Sequence, residues 1–456
     1  MFGHPDEHAG SAPWTLLEPH LDRCWPFLLD RAGRREPSFA GSLPSSVLVV
    51  AGDGRCTRLD AGGRHHLPGH PIDIIEAFVE ESHTTPLSLP QWVSPDSPLP
   101  RTVGYFAYEL GAFIEDVPPT AHDPVGAPLA VLATYDRVEA WHPATGATGA
   151  IVFKDNAPVL LEPLRRGAHS TTSSAVGIRP NDDRSAYLTG FEHVKSAIAA
   201  GDIYQANLSR RIRFELEVSP ADAYRRLRER QPVPHGAYLD LGAWQLLSNS
   251  PECFLRIDGE IIRTFPIKGT RGRAIERARD RALARELAAD PKERAEHLMI
   301  VDLERSDLGR ICRIGSVSVP AFAEVVSFAT LHHMVSEVRG CLAVNVGLAG
   351  VLRATFPGGS ITGAPKIRSM EIIAEVEDSA RGVYTGAIGF LNGSRSVELS
   401  VAIRTAVTTA GTLHYCSGGG IVADSQANAE WNETETKAQA LFDAVRNSAS
   451  DRRGTG

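Results

Sequence analysis

The chain has little cysteine and places it without pattern. Its six cysteines, Cys24, Cys56, Cys253, Cys312, Cys341 and Cys416, form no CxxC pair, which argues against both a zinc site and a disulfide framework. No uninterrupted apolar run approaches the roughly 18 residues that a membrane helix needs. No basic run is interleaved with aromatics, and the formal net charge is −8 with a pI near 6.1. That balance excludes a non-specific nucleic-acid binder. The opening residues, MFGHPDEHAG, lack the cationic start and apolar stretch of a secretory leader. There is no internal repeat at a solenoid period. These absences lead us to expect a soluble, cytoplasmic protein with reduced thiols and no membrane or nucleic-acid partner.

What is present is ordinary in bulk and informative in detail. The 456 residues, 43% hydrophobic and 22% charged, suffice for about two to three domain-sized units. A polar stretch, HSTTSS from His169 to Ser174, reads as a linker between an N-terminal region over 1–175 and a catalytic domain over 176–450. The first region holds strand-like runs at 27–29, 47–50, 103–108 and 131–141, separated by Pro, Gly and Ser. Beyond the linker, Asp182-Asp183 are placed to cap a helix whose apolar face is Tyr187, Phe191, Val194 and Ile198, ended by Gly201. Further helices are expected over 274–289, 291–303, 366–376 and 426–445. Residues 386–391 and 397–407 read as a hairpin turned by Asn392-Gly393. Strands without strict βαβ alternation predict an α+β fold.

The chemistry gathers in the second half. Lys268 follows the strand-like run 261–267 and precedes Gly269, with Thr270, Arg271 and Arg273 next. A lysine on such a hinge among cations can be held neutral and used as a nucleophile; alone, it also suits a surface loop. On the last helix Glu430, Glu433 and Lys437 share one face, with Trp431, Ala438 and Phe442 opposite. That face reads either as a pair of hard oxygen ligands for Mg²⁺ or as a solvated face with a Glu433–Lys437 pair. Glu296 precedes the apolar run Leu298-Met299-Ile300-Val301 and must be paired, protonated or metal-bound if buried. Gly358 to Pro365 and Gly418-Gly419-Gly420 offer backbone N–H groups to an anion. By period two, Arg404 shares a strand face with Glu398, Ser400 and Ala402, where it can fork a carboxylate. His332 and His333 are adjacent and point to opposite faces. These groups predict a Mg²⁺-dependent enzyme acting on a small polyanion.

The segments IYQANLSRR, SNSPECFL, FPIKGTRGR, AEHLMIVDLERSDLGRIC, FPGGSITGAPKIRSMEII, RGVYTGAIGF, VAIRT and SGGGIVADSQANAEWNETETKA occur in that order. They resemble the chorismate-utilising enzymes, a family covering anthranilate synthase, aminodeoxychorismate synthase, and isochorismate or salicylate synthases. The resemblance is specific over about 182–445; PFLLD and VGYFAYELG carry it more weakly into the N-terminal region. It implies an anthranilate synthase component I-like layered fold, with two antiparallel sheets face to face and helices outside. Within the family, PIKGT is similar to the aminodeoxychorismate synthase component I form, whereas anthranilate synthases usually carry alanine at the lysine. By resemblance, Lys268 attacks C2 of chorismate as the C4 hydroxyl leaves, ammonia then attacks C4, and 4-amino-4-deoxychorismate results, feeding 4-aminobenzoate and folate. Arg271, Arg273 and a nearby Mg²⁺ are expected to hold the amine neutral.

The resemblance also assigns the remaining roles. Glu252 matches the acid that protonates the departing hydroxyl, and His333 the family's site histidine. Glu296 and Glu433, with Glu430 beside it, fall on Mg²⁺-binding positions. Arg404, Lys437 and Gly418, Gly419 and Gly420 match positions that hold chorismate's carboxylates. Thr270 stands with these substrate-binding residues, and Thr362, Gly363 and Lys366 lie on the segment that closes over the ligand. Cys253, Gly272, Ser306 and Phe390 depart from the common pattern without removing any of these groups. No segment resembles a glutamine amidotransferase, so a separate glutaminase subunit is the expected ammonia source. In some relatives the N-terminal sheet binds tryptophan. Anthranilate synthase component I, an isochorismate-type isomerase and a catalytically idle scaffold are the competing readings.

Overall fold

Short apolar runs broken by Gly, Pro and Asn turns pair antiparallel throughout the chain, and the pairings build two sheets, of ten and twelve strands. They are seen in a computed structural model that describes residues 12–32, 36–118, 122–165, 184–328 and 331–445. The linker and the Asp182-Asp183 cap expected from the sequence lie outside those residues. In the first sheet, Gln205–Glu215 pairs with Thr412–Ile421, which leads through Thr405–Thr409, Gln245–Ser250 and His235–Asp240 to the N-terminal strand Phe27–Asp30. In the second, Ile267–Gly272 lies beside Leu331–Cys341, and the order runs on to Ser396–Val401, Ala387–Leu391 and the N-terminal strand Thr102–Phe106. Strands from both sides of the expected linker therefore complete each sheet.

Between the sheets lies a core that mixes Phe27, Leu29 and Phe39 of one with Val103, Val131, Ile388 and Phe390 of the other. Helices cover the outer faces. The helix Ala427–Val445 packs with Pro220–Arg230 on the first sheet through Ala438, Leu441 and Tyr224. Pro71–Ser82, Leu348–Thr355 and Pro291–Gly309 cover the second through Ile75, Leu352 and Val301. The helix Arg184–Ala200 forms as expected, with Tyr187, Phe191 and Val194 buried and Gly201 ending it at φ +84°. The layered α+β arrangement agrees with the sequence reading. Among the described residues no helix is long and apolar enough to cross a membrane.

Two apolar runs read as single strands are each two, because the chain changes sheets inside them. Residues 131–141 divide into Ala130–Thr134 in the second sheet and Arg137–Trp141 in the first. Residues 397–407 divide likewise into Ser396–Val401 and Thr405–Thr409. Arg404 is therefore not on a strand beside Glu398 but in the crossing, at φ +51°, a left-handed conformation that costs a non-glycine residue of order 1–3 kcal/mol. The run 261–267 is also interrupted. One strand ends at Thr264, and Lys268 lies inside the next, Ile267–Gly272, where Gly269 at φ +76° is an extra residue against Leu331–Cys341.

Arg381, 2% exposed, ties the N-terminal region to the strand Gln205–Glu215 and the turn Gly359–Ile361. Its guanidinium donates to both Glu377 oxygens, to the Ile361 carbonyl at 3.0 Å and to the Asn207 carbonyl at 2.5 Å. It also stacks 4.8 Å from the Tyr108 ring centre. Removing one member of a buried ion pair leaves the other uncompensated. Arg381→Met is therefore expected to cost about 3–5 kcal/mol in denaturant unfolding, whereas truncation of the exposed Arg305–Asp302 pair should change stability by less than about 1 kcal/mol.

Candidate functional site

Lys268 emerges from its strand toward the glycine-bearing end of Thr412–Ile421. A Cβ placed on Gly420 would come within 2.9 Å of Lys268 Nζ and of Gln205 Cδ, so the absent side chain is what admits the amine. Gly418-Gly419-Gly420 is part of that strand, not a loop, and a Cβ on Gly419 would meet Glu430, Lys437 and Glu433 within 3.3–3.8 Å. Lys268 Nζ donates to Gln205 Oε1 at 3.4 Å. Burial lowers the amine's pKa and Lys437 lowers it further, against Glu296, Glu252 and Glu433. Arg271 and Arg273, expected to do this, are engaged elsewhere. Arg271 pairs with Asp290 at 2.8 Å and Glu293 at 3.0 Å, and Arg273 with Asp280 at 2.8 Å.

Glu252 and Arg404 meet because they sit in two neighbouring crossings between the sheets. The Val401 N–H donates to the Glu252 carbonyl at 3.1 Å and the Asn249 N–H to the Arg404 carbonyl at 3.0 Å. The Glu252 carboxyl is 5% exposed and accepts from Ser360 Oγ at 2.8 Å. Burial pushes it up to about 7, even though Ser360, Lys268, the Ile267 N–H and Arg404 all favour its anion. A carboxyl poised there can give up a proton near neutral pH. Burial lowers the Arg404 pKa, and Tyr415 and Glu252 are the groups that oppose the shift.

Glu430 and Glu433 share a helix face, as their spacing predicts, and Glu296, joined to them in the sequence only by the resemblance, lies near enough to Glu430 to feel its charge. Glu296 comes from Pro291–Gly309 and Glu430 and Glu433 from Ala427–Val445. Burial raises Glu296, with the Glu430 charge adding to it; burial also raises Glu430, with Glu433 adding. Glu433, whose side chain is about half exposed, is lowered: desolvation opposes the shift, but Lys437 Nζ lies 2.7 Å away. Lys437 also donates to the Gly418 carbonyl at 2.8 Å. Among the described residues no group of three His, Cys, Asp or Glu side chains could hold a metal ion by itself. Hard oxygens of this kind suit Mg²⁺, which commonly takes one or two carboxylates and completes its shell with water and ligand oxygens.

His333 and Thr270 are cross-strand partners, with Thr270 Oγ1 3.0 Å from His333 Nδ1. Burial, with Arg404 adding, holds His333 down at about 4, so it acts as neutral imidazole at pH 7. His332 points away to Asp280 at 3.0 Å and Ser327 at 2.8 Å. The expected ligand-closing residues are largely engaged in the loop itself. Thr362 Oγ1 donates to the Gly358 carbonyl at 2.9 Å. Gly363, at φ +150°, would bring a Cβ within 2.1 Å of the Gln205 carbonyl. Lys366, expected at the ligand, is instead drawn into a buried pair with Asp307 and bonds the Thr355 carbonyl at 3.3 Å. Leu298, expected in a buried run, is 55% exposed.

Two site residues escaped the sequence reading. Gln205 is fully buried beside Lys268, and its Nε2 has no hydrogen-bond partner among the described residues; its signal was its place in the segment IYQANLSRR, where no role was assigned to it. Ser360 lay unremarked in the glycine-rich segment, where nothing local marks it as the partner of a residue 108 positions away.

The model of the family described as chorismate binding enzyme matches residues 44–443. Anthranilate synthase component 1 of Streptomyces coelicolor is 36% identical over 439 residues, spanning 90% of this chain and 84% of that protein. Aminodeoxychorismate synthase component 1 of Salmonella typhimurium is 37% identical over 382 residues, spanning 83% of each. The crystal structure of anthranilate synthase component I from Streptococcus pneumoniae TIGR4 superposes with a TM-score of 0.74 at 27% identity, over 89% of this chain and 92% of that one.

The Gly420 contact has a direct test. Gly420→Ala should leave far-UV circular dichroism and Tm near the parent's while displacing Lys268 or Gln205. A displacement of about 1 Å is expected to lower the turnover of the site's substrate by roughly a hundredfold, read in a steady-state assay.

Proposed function

We propose, for a chain that belongs to the chorismate binding enzyme family, that it aminates chorismate at C4 to give 4-amino-4-deoxychorismate. The observation that carries this reading is the Lys268 amine, depressed by burial and aimed between Gln205 and Gly420 near Glu252. A neutral amine there suits attack at C2. The N–C2 bond forms, the ring double bonds shift from C1–C2 and C5–C6 to C1–C6 and C4–C5, and the C4–O bond breaks. Glu252 gives its proton to the departing oxygen, which leaves as water, and the lysine nitrogen loses a proton. Ammonia then attacks C4, the double bonds return to C1–C2 and C5–C6, and the C2–N bond breaks, the proton shed by the incoming nitrogen restoring the Lys268 amine. Net, chorismate and ammonia become aminodeoxychorismate and water.

The other residues supply binding and charge. Arg404 and Lys437, with the amides of Gly418 to Gly420, are placed to take the carboxylates, and His333 as neutral imidazole to hydrogen-bond without adding charge. Glu296, Glu430 and Glu433 would hold Mg²⁺, which when bound anchors the ring carboxylate. Ammonia is expected from a glutamine amidotransferase partner, since the chain carries no nucleophile-elbow cysteine of its own. Formation of anthranilate is the second reading. It is favoured by relatives of that name at 36% identity, next to 37% for the aminodeoxychorismate synthase relative, and opposed by Lys268 on the C2 side.

Incubation with chorismate, MgCl₂ and ammonium, with products separated and identified by mass and fluorescence, distinguishes the two. Aminodeoxychorismate is the expected main product, and anthranilate in its place would overturn the assignment. Lys268→Ala should abolish the covalent adduct, seen in the intact protein as chorismate less one water. It should also slow C4 amination by at least about 10²-fold or divert nitrogen to C2. Glutamine is expected to replace ammonium only when a glutaminase is added.

A further inference from the structure

The turn Val422–Ser425 joins the two parts of the site. It leaves the strand Thr412–Ile421 just past Gly420 and leads into the helix Ala427–Val445, which carries Glu430, Glu433 and Lys437. The turn closes on itself, since the Ser425 N–H donates to the Val422 carbonyl at 3.1 Å and the Val422 N–H donates to Ser425 Oγ at 3.1 Å. The Ser425 oxygen thus accepts within the turn and keeps its own proton for another partner. That partner is Glu430, whose carboxylate the Ser425 side chain hydrogen-bonds.

What holds the turn comes from the helix Arg184–Ala200, far away in the chain. Lys195 Nζ donates to the carbonyls of Val422 at 3.3 Å, Ser425 at 3.3 Å and Ala423. An ammonium has three N–H donors and no acceptor, so these carbonyls match its full complement. Three carbonyl oxygens brought toward one point repel one another, and a positive charge among them lets them converge. The packing of this helix does not need that charge, because it runs through Tyr187, Phe191 and Val194. Its first turns grip the acidic helix directly: Arg184 Nη2 donates to Asn428 Oδ1 at 2.9 Å, and the Tyr187 ring meets Trp431 edge-on at 5.5 Å between centres. Lys195 extends the same grip to the turn that precedes the acidic helix.

We propose that Lys195 is a positioning residue for Glu430: its ammonium gathers the carbonyls of Val422, Ala423 and Ser425, and the turn so held sets Ser425 against the Glu430 carboxylate and fixes that carboxylate for a divalent metal. This rests on Glu430 as a Mg²⁺ ligand and not on which product forms. Groups that hydrogen-bond a metal-ligating carboxylate, and those that hold them in place, govern affinity because an unheld ligand must be ordered when the metal binds.

The test is a calorimetric titration of MgCl₂ into the whole chain without chorismate, so that the readout is binding and not turnover. Lys195→Met keeps the stem and removes the donors. Its Mg²⁺ affinity is expected to fall roughly tenfold, with the far-UV circular dichroism of the parent. In a Glu430→Gln background the same substitution should have little further effect, because its cost is transmitted through that carboxylate. An affinity unchanged in Lys195→Met, or an equal loss with and without the Glu430 carboxylate, overturns the proposal. If Lys195→Met does not fold, Ser425→Ala takes its place, and an affinity equal to the parent's is then the overturning result. A parent chain that binds no Mg²⁺ sinks the metal reading and this proposal with it, whereas a parent and a Lys195→Met that bind equally sink the proposal alone.

Discussion

An amine attacks only when neutral, and the proposed reaction requires Lys268 to be neutral in a cleft crowded with acids. Glu296, Glu252 and Glu433 each favour its protonation, and only burial and the Lys437 charge oppose them. Much of the local architecture follows from that balance. The facing strand carries no side chain at Gly420, so its backbone comes close to the amine without adding a polar side chain there. Gln205 accepts from it as a neutral amide, not as a carboxylate. Lys437 is held by the Gly418 carbonyl and Glu433, which fixes its charge near the amine. The nearer cations in sequence, Arg271 and Arg273, contribute nothing to that balance because acids on adjoining helices bind them first.

The helix-borne part of this arrangement was legible in the sequence, because a period of 3.6 places Glu430, Glu433 and Lys437 on one face whatever surrounds them. Lys268 was legible through its glycine and its family segment. The crossings were not. Residues 131–141 and 397–407 are apolar across the point where the chain changes sheets, and period two carries no mark of which sheet a residue joins. Arg404 was therefore singled out in the sequence with the wrong geometry, as a face-mate of Glu398; Glu398 instead pairs with Arg31 and Arg256. Lys366 shows the same limit, since its partner Asp307 is 59 residues away.

Resemblance and residue chemistry contributed different things. Period, spacing and residue type yielded an anion site with hard oxygens and a candidate nucleophile, and the family segments then supplied the ring carbon and the roles. Identity over the whole chain does not separate the two aminations, since relatives of both names stand near 36–37%. Under the proposed reaction the discrimination is local and falls on Lys268.

The sharing of sheets between the two halves of the chain governs what a fragment of it can be. A piece beginning near residue 184 would lose Phe27–Asp30 from beside His235–Asp240, and Thr102–Phe106 from beside Ala387–Leu391. Each loss bares a row of unpaired N–H and C=O groups on a strand whose side chains are mostly or wholly buried in the intact protein. Such edges recruit other chains. Although nearly all the candidate site residues lie in the C-terminal half, that half expressed alone is a template for aggregation, and the N-terminal strands serve it as built-in edge protection.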